Sequence, residues 1–113
     1  MSISKSKRTR VYSRDSWKCQ YCGDCVTETT ASIDHAIPTV DGGSNCESNL
    51  LTCCKKCNSV KGKRSIEWLR NHLGIQASPY ANVINVQTYF ALIKAGAVLA
   101  PLPKVIFAFE DVR

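Results

Sequence analysis

Apolar and polar positions divide the chain into a short-period front and a helical-period back. Residues 1–7 hold Ser and Lys with little to bury, which predicts a flexible basic arm. Val11, Tyr12 and Trp17 then stand as anchors in a basic surround and predict a short helix over Thr9–Arg14. Ala31–Ile37 reads as a first strand that Pro38 ends. Asp41-Gly42-Gly43-Ser44 is a turn signal, because glycine reaches positive φ without steric penalty. Asn49–Thr52 reads as a short second strand or an extended approach to the cysteines after it. A helix begins near Cys54–Asn58 and stops by Gly62. The order strand, turn, strand, helix makes a small ββα unit.

Behind this unit the period lengthens. Ser65 is placed to cap a helix, with Glu67 in its first turn, Ile66, Leu69 and Leu73 at helical spacing, and Gly74 as its C′ residue. Ser78-Pro79 repeats the cap-then-proline start. Val86, Tyr89, Phe90 and Ile93 form an i, i+3, i+4, i+7 stripe that ends at Gly96. Pro101 and Pro103 interrupt the chain, and Val105–Phe109 reads as a terminal strand or a docked extended segment. The expected fold class is α+β. The expected organisation is one domain over 1–113: a basic arm (1–7), a core (8–64) and a helical C-terminal extension (65–113). His72 reads as solvated, and nothing after residue 65 suggests chemistry.

A chain of 113 residues lies between the sizes that bury ~60 % and ~70 % of their surface, so its core gains from outside help. The content of 44 % apolar and 21 % charged residues excludes wholesale disorder. No apolar run is long enough to cross a bilayer. The basic start has no apolar stretch behind it, which argues against a secretory signal and for a cytoplasmic protein with reduced cysteines. The formal charge of +6 is unevenly placed. Residues 1–18 carry +5, residues 19–54 carry −5 without a single Lys or Arg, and residues 55–64 carry +5 again. An acidic middle between basic flanks suits a cation site held between phosphate-binding edges.

Seven cysteines sharpen that picture. Cys19, Cys22, Cys54 and Cys57 fall in a C-x2-C-x31-C-x2-C pattern. Two such pairs can place four sulfurs around one ion and leave no open position, so one structural zinc is expected. Cys22 and Cys25 share the same spacing, which leaves a second register open for the first pair. Gly23 after Cys22 favours Cys19 with Cys22, because glycine lets the knuckle turn. Cys25, Cys46 and Cys53 read as bystanders.

Between the pairs lies IDHAIPTVDGGSNCESNLLTCCKKCNSVKG, with adjacent Asp34-His35, then Asn49, then Asn58. Together with Cys19-Gln20-Tyr21-Cys22-Gly23, this order resembles the HNH endonucleases whose ββα-metal finger is tied by a four-cysteine zinc. The resemblance covers about Arg8–Arg64. It implies that His35 is the general base and that Asn49 steadies the base or its loop. It further implies that Asp34 and Asn58 hold one catalytic Mg²⁺ or Mn²⁺, with Asn58 standing where many members have His. The implied reaction hydrolyses DNA and leaves 5′-phosphate and 3′-hydroxyl ends. Independently of the resemblance, a neutral imidazole suits water activation near pH 7, and oxygen donors suit a hard cation. Neighbours on an ideal strand face opposite ways, so Asp34 and His35 need a bend or a strand end to meet one ion.

The basic flanks supply candidate phosphate contacts, Arg8, Arg10 and Arg14 on one side and Lys61, Lys63 and Arg64 on the other. Trp17 and Tyr21 read as packing around the knuckle rather than base stacking. Double-stranded DNA is the expected partner, with a homodimer or a phage or host protein as further partners. Two other functions remain open: a non-catalytic zinc module that binds nucleic acid, and an interaction part of a phage or mobile element.

Overall fold

The structure, a computed structural model describing residues 3–111, forms two compact units. One holds residues 3–66 with 107–111, and the other holds residues 67–106. Among the described residues no helix is long and apolar enough to cross a membrane.

The first unit opens with helix α1 over Lys5–Arg14. It starts a turn earlier than the apolar anchors suggest, because the Ser4 hydroxyl accepts a hydrogen bond from the Lys7 amide and caps the first turn. Residues 5–7 are therefore helical rather than a flexible arm, while residues 1 and 2 lie outside the described residues. Val11 and Tyr12 are the buried positions of α1. Its C-terminal end is tied to the sheet: the Asp15 carboxylate accepts from the Thr52 amide at 2.9 Å, and Arg14 donates to the Leu50 carbonyl at 2.6 Å.

Strands β1 (Ala31–His35) and β2 (Leu50–Cys54) pair antiparallel, with Ala31 opposite Cys54 and His35 opposite Leu50. β1 stops two residues short of Ile37. Beyond the last rung Ala36 still donates to the Asn49 carbonyl, but the chain then turns at Pro38. The Asn49 backbone lies in a short 3₁₀ turn over Glu47–Asn49, so the strand proper begins at Leu50. Gly42 takes the expected positive φ of 89°. Gly43 serves a different purpose: a Cβ there would sit 1.7 Å from the Ile37 carbonyl oxygen, so only glycine lets the loop close.

Helix α2 (Lys55–Lys61) follows β2 directly, capped by the Cys54 sulfur, and ends at Gly62 with φ 55°. Strand, strand and helix thus form the expected ββα unit. Residues 107–111 add a 3₁₀ turn over Ala108–Glu110 rather than a terminal strand. Ala108 and Phe109 donate to the Tyr21 and Gln20 carbonyls, and the buried Phe107 ring meets the Tyr21 ring edge-on at 5.1 Å. The docked alternative is the one observed.

The second unit contains α3 (Ile66–Gln76, its first residue belonging to the other unit) and α4 (Val86–Lys94). Gly74 lies inside α3 instead of ending it, and glycine suits the position because a Cβ there would press on Leu102 at 3.3 Å. Asn85, not Ser78, caps α4, accepting from the Thr88 amide. Ser78-Pro79 belongs to the turn before it, where the Ser78 hydroxyl donates to Ile75 and accepts from Tyr80. Val86 and Tyr89 pack with Ile75, Trp68, Tyr80 and Leu102, whereas Phe90 and Ile93 of the same stripe are exposed. His72 is half-buried and stacks on Trp68 at 4.9 Å, not free in solvent.

Candidate active site and zinc cage

The first knuckle is a tight reversal in which Gly23 donates to the Cys19 carbonyl and Cys19 donates to Asp24. Gly23 adopts φ 83°, as the turn requires. The second knuckle is the N-terminus of α2, whose first turn brings Cys54 and Cys57 together. The donor atoms of Cys19, Cys22, Cys54 and Cys57 all lie within 4.8 Å of one another, and the Cys22 and Cys54 sulfurs are 3.8 Å apart. A tetrahedron with Zn–S bonds of ~2.3 Å needs sulfurs ~3.8 Å apart, so the four can hold one zinc ion. Cys25 lies outside the cluster and pairs with Lys18 in a small bridge instead, which settles the register.

The electrostatics of the cluster call for a cation. The neighbouring Cys53 holds the Cys19 thiol down at about 4, while burial pushes Cys22 up to about 12 and raises Cys57 as well. Four thiolates cannot share so small a space unless a positive ion offsets their repulsion. Cys53 is completely buried and donates its thiol to the Cys54 carbonyl at 3.1 Å, and the neighbouring Cys19 together with burial keeps it protonated.

The end of β1 builds the second feature. Strand alternation turns the Asp34 side chain inward, where it is 4 % exposed. There it accepts a hydrogen bond of 2.5 Å from the Tyr21 hydroxyl and pairs with Lys61. Burial and this bond raise the Tyr21 phenol far above its usual range, so it acts as a donor. Lys61 is fully buried, with its ammonium 3.1 Å from Asp34 Oδ2 and 3.2 Å from the His35 carbonyl. It therefore cannot serve as the surface phosphate contact that its place in a basic run suggests.

His35 is half-buried, and its Nε2 lies 2.8 Å from Asn45 Oδ1. The Asn45 amide oxygen faces Nε2, an arrangement that suits a proton on that nitrogen. Asn49 staples the loop below it: its amide nitrogen donates to Ile37 and Ser44, and its oxygen accepts from the Ile37 amide. Asp34, His35 and Asn58 line one small cleft of about 110 Å³ together with Lys63. His35 and Asn58 also line an adjoining cleft of about 470 Å³ that Arg8 and Lys55 border. Asp34 and His35 thus line one cleft at the strand end, with the Asp34 carboxylate held against Tyr21 and Lys61.

The basic flanks divide by occupation. Arg10 pairs with Glu47 at 2.9 Å, and Arg14 spends its guanidinium on Asp15, Glu47 and Leu50. The Asp15 hydrogen bond raises Arg14 above its usual range. Arg8 and Lys63 border the clefts. Arg64 is exposed and reaches back toward the Val60 carbonyl. Sequence reasoning missed Asn45, which belongs to no spaced motif, and the buried place of Lys61, which no charge count reveals.

A two-stranded sheet and helix holding a histidine and an asparagine beside a four-sulfur cage define a ββα finger of the nuclease type. The family model described as HNH endonuclease matches residues 19–74, and through that segment the chain belongs to the HNH endonuclease family. The chain is 33 % identical over 66 residues to the CRISPR-associated endonuclease Cas9 of Corynebacterium diphtheriae, a match covering 57 % of this chain and 6 % of that protein. It is 39 % identical over 44 residues to the CRISPR-associated endonuclease Cas9 of Actinomyces naeslundii, covering 38 % of this chain and 4 % of that one. The crystal structure of the Type II-C Cas9 enzyme from Actinomyces naeslundii superimposes with a TM-score of 0.56 at 27 % identity, over 66 % of this chain and 8 % of that chain.

Proposed function

We propose that the chain is a metal-dependent endonuclease that hydrolyses DNA phosphodiester bonds in the cytoplasm, with His35 as general base. What supports this reading is the shared cleft, which Asp34, His35 and Asn58 all line. Nδ1 of His35, left free by the contact of Nε2 with Asn45, takes a proton from water as its oxygen attacks phosphorus. The bond from phosphorus to the 3′ oxygen then breaks, giving 5′-phosphate and 3′-hydroxyl ends. One carboxylate and one amide oxygen are a lean donor set for a hard divalent ion that keeps most of its waters. Asp34 and Asn58 would hold one Mg²⁺ or Mn²⁺, which supplies positive charge against the phosphorane and the leaving oxygen when bound. Asn49 positions His35 by fixing the loop that follows it. Arg8, Lys63 and Arg64 are the cations best placed to hold the backbone of the duplex. One site cuts one strand, so a double-strand break takes two binding events or a second copy.

The test is conversion of supercoiled plasmid in Mg²⁺ or Mn²⁺. Native protein should nick it, and His35→Ala should abolish nicking while keeping one zinc per chain and binding to DNA. Zinc-loaded native protein that binds plasmid and cuts in neither metal would sink the nuclease reading. It would favour a non-catalytic zinc module, a second reading that gains from the Asp34 carboxylate being already engaged by Tyr21 and Lys61.

A further inference from the structure

Beside the large cleft that His35 and Asn58 line, a second hollow of about 370 Å³ opens between α1 and the loop before β1. Tyr12 and Trp17 form its aromatic side, their rings 5.1 Å apart and tilted by 42°, and Ala31 its floor. Lys5 and Arg8 stand along the α1 edge and Glu28 opposite. Trp17 reaches this position through an unfavourable backbone. Ser16 and Trp17 both take positive φ, 57° and 54°, held by bonds from Trp17 to the Tyr12 carbonyl and from Val26 to Trp17. Two successive non-glycine residues in this region are unfavourable and persist only where surrounding structure imposes them. The indole is half-buried rather than sealed in the core. Arg8 and Ala31 line both hollows, so the two adjoin.

We propose that this hollow is a stacking subsite for one unpaired DNA base next to the scissile phosphate. This rests on the reading of the neighbouring cleft as a phosphodiesterase site. A half-exposed indole bordered by cations is a means by which proteins hold single-stranded bases, since every base offers a π-face. Arg8 sits where the phosphate linking the stacked nucleotide to the cleavage cleft would pass. Glu28 keeps phosphates to the α1 side and leaves the inner wall to the base. The preferred substrate is therefore a duplex with a frayed, tailed or branched end, not a continuous blunt helix.

The experiment uses the full zinc-loaded chain carrying His35→Ala, and compares binding of a blunt duplex with the same duplex bearing a five-nucleotide single-stranded tail. The tailed probe should bind tighter, and Trp17→Ala should reduce that preference roughly tenfold or more, whereas Trp17→Phe should keep most of it. A tail containing 5-iododeoxyuridine should photocrosslink to Trp17, a readout that holds even if Trp17→Ala fails to fold. Equal affinity for the two probes, an unchanged preference in a folded Trp17→Ala protein, or crosslinks that avoid Trp17 would each overturn the subsite. The two readings separate cleanly. Plasmid cutting without tail preference removes the subsite alone. Crosslinking at Trp17 without cutting in Mg²⁺ or Mn²⁺ keeps a base-binding hollow and removes the nuclease.

Discussion

Lys61 and Asp34 form an ion pair closed to solvent, with the ammonium 3.1 Å and 3.2 Å from the two carboxylate oxygens. The same ammonium holds the His35 carbonyl, so one side chain from α2 fixes both residues at the end of β1. Removing it strands a buried carboxylate. Lys61→Met should therefore lower the unfolding free energy by about 3–5 kcal/mol. Lys61→Met with Asp34→Asn should recover a large part of that loss, as read by urea denaturation. Simple addition of the two single effects would mean that the pair is not coupled.

Asn45 has its effect through His35. Its side-chain oxygen meets Nε2 at 2.8 Å and selects which ring nitrogen is free. Asn45→Ala should reduce the plasmid-cutting rate by about 10²-fold while leaving zinc content and melting temperature near native. A rate within twofold of native would show that the imidazole is oriented by something else.

The four-sulfur cluster and the two exposed cysteines outside it should respond differently to replacement. Cys22→Ser or Cys57→Ser removes part of a site worth about 10–16 kcal/mol and should leave the first unit unfolded, by circular dichroism and by loss of bound zinc. Cys25→Ser and Cys46→Ser, exposed and outside the cluster, should retain one zinc per chain in native mass spectrometry. Burial raises the Cys22 thiol to about 12, so it is protonated at neutral pH unless a metal displaces that proton. Acidification restores the proton and should release zinc, and the release should reverse on returning to neutral pH.

Adjacent glycines in the loop after β1 differ sharply. Gly42 needs its positive φ but faces open space, so Gly42→Ala should destabilise by about 1 kcal/mol. Gly43→Ala drives a methyl into the Ile37 carbonyl and toward the Asn49 amide, breaking the loop that supports His35. Cutting should fall steeply in Gly43→Ala and little in Gly42→Ala, and equal effects would contradict the close approach.

The cysteine pairs and the ββα order were legible because their spacing carries its own geometry. Asp34, His35 and Asn58 line one cleft, although the chain places Asn58 far from the other two. Lys61 was not legible: within Lys-Gly-Lys-Arg it has the look of a solvated cation, and only the distant Asp34 and His35 carbonyl explain its burial. Ser4 and Asn85 outcompeted the expected starts because a cap depends on a side chain finding an amide three residues on, which Ser78 instead forgoes for its own turn. Phe107 could not be placed from local pattern, since its partner Tyr21 lies far away in the chain.

The return of residues 107–111 to the knuckle makes the finger discontinuous along the gene. Phe107 shields Tyr21, and Tyr21 in turn grips Asp34, so a fragment cut after residue 66 would carry every motif residue yet lack the wall behind its own carboxylate. Transplanting this module into another scaffold thus means excising residues 67–106 and splicing the remote tail back on, not trimming at the last motif position.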